Sequence, residues 1–145
     1  MDRGVAVLLT AVVGGVLALQ APINAGLGRA TGQLPAALIS FTVGTLLLAA
    51  IVALTGEVGG VGSTFNVRWY YLIGGALGAA YVTVALIAVR SIGAGGVAAA
   101  TIAGQLATAV VIDRLGILGL ERTPITGARI AGVALLFAGT YLVIR

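Results

Sequence analysis

Residues 4–28 read GVAVLLTAVVGGVLALQAPINAGLG, a run without a single charged side chain. At about 1.5 Å per residue a helix of this length exceeds the roughly 30 Å hydrocarbon core of a bilayer, which needs about 20 apolar residues to cross. The run is apolar on every side, so as a helix it offers no face suited to water. Outward from it the same pattern recurs. Further uncharged stretches occupy 30–56, 69–89, 91–112 and 130–144, separated by Arg29, by Glu57 and Arg68, by Arg90, and by a charged cluster from Asp113 to Arg129. The last stretch is short and reaches spanning length by starting near Ile125, with Arg129 snorkelling to the interface. The charge stations predict an all-α integral membrane protein, a single five-helix transmembrane domain over 1–145 with spans at 4–27, 34–55, 69–89, 92–112 and 126–144.

Composition agrees with this and removes other classes. Of 145 residues, 60% are hydrophobic and only 8% charged, against about 25% charged in an ordinary soluble domain. The chain has no Cys and no His, which removes disulfides, thiolate metal sites and the usual neutral-pH proton shuttle. All cations are Arg, scattered singly between apolar runs, so the net charge of +4 makes no basic patch for nucleic acid. The first run is too long for a cleaved signal peptide and is followed by four more. A transmembrane β-barrel would show short alternating segments instead. With no nucleophile–base set and no metal cluster, the sequence predicts neither an enzyme nor a cofactor. Two loops have room for structure: Thr55–Arg68 (TGEVGGVGSTFNVR), Gly-rich and expected to be flexible, and Asp113–Thr126 (DRLGILGLERTPIT), whose Pro124 suits a turn ahead of the last helix.

Helices in lipid associate by close packing, because lipid tails are as apolar as leucine. Small residues four apart (Gly14 and Ala18, Ser40 and Gly44, Gly74 and Gly78, Ala128 and Gly132) are read as packing positions. The polar residues inside the spans say more. Gln20 and Asn24 lie one turn apart on one face, as do Thr101, Gln105 and Thr108, while Ser40 and Thr42 fall in the second span and Tyr81 and Thr83 in the third. An amide facing lipid is costly, so these groups should face protein or a wet cavity. For Ser40, Thr42 and Thr108, hydrogen bonding between helices is the simpler account. For Gln20, Asn24 and Gln105, a solute-binding surface is the reading taken, with Tyr81, Thr101 and Ser40 as further contributors.

Pro22, between Gln20 and Asn24, removes a backbone donor and frees the carbonyl of Ala18. Broken helices at membrane depth mark solute sites in many transporters. The competing reading is that Gln20–Asn24 simply marks the end of the helix before Arg29, and spacing alone does not separate the two. No Asp or Glu lies inside any uncharged stretch. The nearest candidates for ion coupling are Asp113, at the end of the fourth span, and Glu57, after the second, with Asp113 set against a reading as a solvated or salt-bridged helix-end residue. With an odd number of spans, Arg3, Arg68, Arg114, Arg122 and Arg129 share one side and Arg29, Arg90 and Arg145 the other. This weak basic asymmetry would let the chain insert both ways and pair with an inverted copy.

Four segments in order, LQAPINAGLGR (19–29), AALISFTVGTLLL (36–48), GGALGAAYVT (74–83) and AGQLATAVVIDRLGILGLERTPITGARIAGVALLFAGTYLV (103–143), resemble the YdcZ-type branch of the drug/metabolite transporter superfamily. The resemblance covers essentially the whole chain, and the GQ of the fourth span followed by D-x-x-G-x-x-G is its most specific part. It implies a bacterial inner-membrane protein of five helices, in a family that includes dual-topology single proteins and fused ten-helix forms. It also implies kinship with the small multidrug resistance proteins, four-helix antiparallel dimers with a glutamate in the first helix. This chain has no such glutamate, so their proton exchange is not carried over. The combined expectation is an exporter of a small polar or cationic solute, with the lipid bilayer, the solute and an antiparallel copy of itself as partners, ten helices in all. The alternative is a non-transporting membrane assembly or scaffold protein.

Overall fold

In a computed structural model the described residues, 2–145, are almost entirely helical: α1 (Arg3–Ala18), α2 (Gln20–Thr31), α3 (Gln33–Thr55), α4 (Val58–Gly62), α5 (Gly74–Leu115) and α6 (Gly127–Ile144), with short 3-10 turns at Ser63–Asn66 and Trp69–Ile73. Four continuous runs among them are long and apolar enough to cross a bilayer: Arg3–Thr31, Gln33–Thr55, Trp69–Leu115 and Gly127–Ile144. The third has 47 residues, about 70 Å if straight, more than twice the hydrocarbon thickness. It is divided by Gly93, whose φ of 70° and ψ of 171° are not helical and belong to a region that side chains rarely occupy. The division therefore falls at a glycine three residues past the Arg90 charge station.

The chain forms two compact units. In the unit Gln20–Ile87, α2 and α3 are joined by a single non-helical residue, Gly32, with φ 90° and ψ 159°. Its N–H still donates to the Gly28 carbonyl and its own carbonyl accepts from Ala36 N, both at 3.1 Å. The corner thus leaves few backbone groups unpaired, as lipid demands. The break falls at Gly32 rather than beside Arg29, and Pro35 sits in the first turn of α3, where its missing N–H costs nothing. The core consists of small residues, Ala25 and Gly28 from α2 and Ala36 and Ala37 from α3, met by Val82, Ala85 and Leu86 of α5. Leu86 is fully buried. A Cβ placed on Gly28 would lie 3.3 Å from Leu86 Cδ2 and 3.7 Å from Ala36 Cβ, so three helices meet where one of them has no side chain. Gly78, one of the small residues read from the sequence, meets the Phe41 ring in the same way, at 3.4 Å.

The other unit comprises the chain up to Leu19 and Ala88–Arg145. Asp2 caps α1 by accepting from Gly4 N at 2.8 Å and Val5 N at 3.4 Å. The part of α5 beyond Gly93 pairs antiparallel with α6. Gly96 faces Ile144, Thr140 Oγ1 donates to the Ala99 carbonyl at 3.0 Å, and Asp113 meets Arg129. The loop between them is closed by α5's own carbonyls. Gly116, left-handed with φ 61°, donates to Ile112 O; Arg122 Nε donates to Leu115 O at 3.2 Å; and Thr123 N donates to Asp113 O at 2.9 Å. Thr126 caps α6 through Arg129 N, just after Pro124.

Leu86→Ala should lower thermal stability by about 2–5 kcal/mol, because Leu86 is fully buried and its side chain fills the space beside Gly28. Unfolding of the detergent-solubilised protein, with and without the substitution, measures this.

Candidate functional site

α2 begins immediately after an interruption. α1 ends at Ala18, and the Leu19 N–H turns to the Val16 carbonyl at 3.1 Å. Leu19 itself keeps right-handed helical angles, φ −74° and ψ −21°, so the interruption lies in the hydrogen-bond ladder. Pro22 is its physical cause, since without an N–H it cannot donate to Ala18 O. Pro22 itself is exposed. Gln20, Ala21 and Asn24, on the inward side of α2, line a small cleft with Tyr81, Val82 and Ala85 of α5.

The cleft is narrow, with room for about one water. Asn24 is buried, with 5% of its surface exposed; Gln20 and Tyr81 are half-buried. No charged side chain lines it. Asn24 Nδ2 is sealed from solvent and has no hydrogen-bond partner among the described residues. A buried amide left unpaired costs about 1–3 kcal/mol, so this is the one polar group of the cleft that the fold leaves in debt. The tight packing responsible lies one turn further along α2, where Gly28 contacts Leu86.

Three of the residues singled out from the sequence, Gln20, Asn24 and Tyr81, are therefore brought together. Ser40 lies on α3, half-buried and outside the cleft lining. Thr101 and Gln105 lie on the later part of α5, in the other unit, the first half-buried and the second exposed. Asp113 pairs with Arg129 across 3.1 Å, each side chain about one third exposed (36% and 35%), so Arg129 turns to a carboxylate of its own chain. The hydroxyls of Thr42 and Thr83 donate back to Leu38 O at 2.9 Å and Ala79 O at 2.8 Å within their own helices, a bond that needs no neighbour. The hydroxyl that does join two helices is Thr140, which spacing did not single out; its signal was a Thr beside Tyr141 in the otherwise apolar stretch 130–144. Val82 and Ala85, the apolar wall of the cleft, flank Tyr81 on one helix face and carry no signal apart from that spacing.

A sequence family described as "Putative inner membrane exporter, YdcZ" matches residues 5–142. Neither a curated protein nor a solved structure matches the chain.

Asn24→Leu replaces the unpaired amide by an apolar group of similar volume. The substituted protein, without solute, should be as stable as the parent or up to about 3 kcal/mol more stable. A loss greater than about 1 kcal/mol in thermal unfolding would mean instead that the amide joins helices by hydrogen bonding.

Proposed function

Because this chain belongs to the YdcZ family of inner membrane exporters, within the drug/metabolite transporter superfamily, we propose that it exports a small polar or cationic solute through the cleft of Gln20, Asn24 and Tyr81. The protein resides in the inner membrane, and an exporter is a transporter rather than an enzyme. The observation that carries the proposal is the Asn24 amide, buried on the cleft with Nδ2 unpaired. A solute with a hydrogen-bond acceptor would take up that donor once the side chain turns toward it, and Gln20 and Tyr81 add an amide and a hydroxyl at the rim. With no carboxylate in the lining, a neutral polar solute suits the cleft better than a cation. Room for about one water means that α2 and the facing part of α5 must part for anything larger. The broken hydrogen-bond ladder at Leu19 supplies a place for α2 to move.

The same proposal includes assembly and topology. The five spans read from the charge stations form one transmembrane domain, which pairs antiparallel with a second copy to give ten helices. Leu8, Val12, Leu47 and Leu135, each more than half exposed, leave ample apolar surface for lipid and for such a partner. Gln105, Thr101 and Ser40 belong to the pathway outside the cleft, and Asp113 acts with Arg129 as a helix-end tie.

Flux into proteoliposomes, screened over neutral polar metabolites and organic cations and normalised to monodisperse protein, tests the site. Gln20→Ala and Asn24→Leu should each reduce flux several-fold while the protein stays folded; unchanged flux in both would return these amides to packing.

Flux should also vary little between about pH 5.5 and 8, since the chain has no His and none of its four carboxylates lies within an uncharged stretch. A steep proton dependence abolished by Asp113→Asn would make that aspartate the coupling residue.

Single cysteines at Gly62 and Glu121, two exposed loop positions, should be labelled from both faces of the membrane. Labelling from one face alone would exclude dual topology.

A further inference from the structure

The Gly-rich connection from α3 to α5 contains short helical turns. Gly56 ends α3 in the left-handed conformation, φ 76°, and the chain then coils through α4, the 3-10 turn Ser63–Asn66 and a second 3-10 turn at Trp69–Ile73. Val58, Val61 and Phe65 recur at spacings of three and four along this coil, and all are exposed, Phe65 to 93%. Trp69 follows, 75% exposed, with Tyr71 also exposed.

These aromatics form an ordered array. The Trp69 and Tyr70 rings meet edge to face at 6.2 Å, the Tyr70 and Tyr71 rings lie 4.6 Å apart, and Arg68 Nη1 donates to the Tyr70 hydroxyl at 2.9 Å. Glu57 and Arg68 are the only charges between Thr55 and Val89, so the segment has no net charge with which to seek anionic lipid. Both of its ends are tied to the membrane surface, because one membrane-crossing run stops at Thr55 and the next starts at Trp69.

Large exposed apolar side chains on a segment tethered at both ends to the bilayer surface match the chemistry of the headgroup layer. There the apolar side of a ring meets acyl chains and its polar tip meets water and phosphate. We propose that residues 58–71 lie in the bilayer interface as an anchor, with Val58, Val61, Phe65 and Trp69 seated at the acyl boundary and the Arg68 guanidinium among the lipid phosphates. The anchor sets the depth of the span that begins at Trp69. It is independent of which solute the protein carries.

The chain has a single Trp, so Trp69 reports on its own depth without substitution. The protein is reconstituted in phosphatidylcholine vesicles whose acyl chains carry bromine at defined depths. A second reading comes from Phe65→Trp in a Trp69→Phe background, at a position exposed enough to accept the larger ring. Both indoles should emit to the blue of free tryptophan and be quenched most by bromine about 5–10 Å below the headgroups. Addition of anionic phosphatidylglycerol should leave the depth unchanged. Quenching of the residue-65 indole by aqueous iodide as strong as that of free tryptophan would put the segment in water. Protection from both quenchers would mean that a second copy of the chain covers it. Either result overturns the proposal.

Discussion

Gly28 has no side chain, and that lets Leu86 of α5 and Ala36 of α3 come within van der Waals reach of the α2 backbone. In lipid no water is released when helices meet, so contact density rather than hydrophobic burial must hold them together. A core of Ala25, Ala36, Ala37 and Ala85 around one fully buried leucine serves that need, since small residues bring whole backbones together. Asn24 lies one turn before Gly28 on the same face of α2. The approach that packs Gly28 against Leu86 therefore also buries the Asn24 amide and narrows the cleft beside it. Packing and candidate site rest on one contact.

The α5–α6 pair is held differently, by ties distributed along its length. The Gly96–Ile144 contact lies at one end, the Thr140 hydroxyl bridges to Ala99 further along, and the Asp113–Arg129 ion pair lies at the other end. The ion pair is about one third exposed, so its direct contribution to stability is under about 1 kcal/mol. Its position matters more, because it joins the two helix ends that the loop Gly116–Thr126 connects. In that loop Arg122 and Thr123 satisfy carbonyls at the end of α5 that would otherwise be orphaned at the membrane surface.

Charge placement made the apolar helical runs legible from residues alone, because a charge in hydrocarbon is costly and charges therefore collect where a span ends. Helix ends were less legible. Arg29 and Arg90 mark the approach to two breaks, but the chain turns at Gly32 and Gly93, since only glycine adopts the required positive φ cheaply. The short helical turns within the Thr55–Arg68 segment were not legible for a related reason. Its glycines suggest freedom, whereas the Val58, Val61 and Phe65 spacing coils it into short helical turns.

Within the site, the i, i+4 spacing of Gln20 and Asn24 placed both amides on one face, and Pro22 announced the interrupted ladder before it. The amino-acid sequence by itself therefore determined the helical membrane architecture and the polar face of α2, because both follow from local periodicity and the cost of charge in lipid. Tertiary structure alone decided that Tyr81 of α5 lines the cleft beside those amides and that Ser40 of α3 lies outside its lining. It also decided that Asp113 finds Arg129 and that Asn24 Nδ2 is left without a partner. Such pairings depend on which helix backbones approach one another and how closely, and that is set by contacts between residues far apart in the chain.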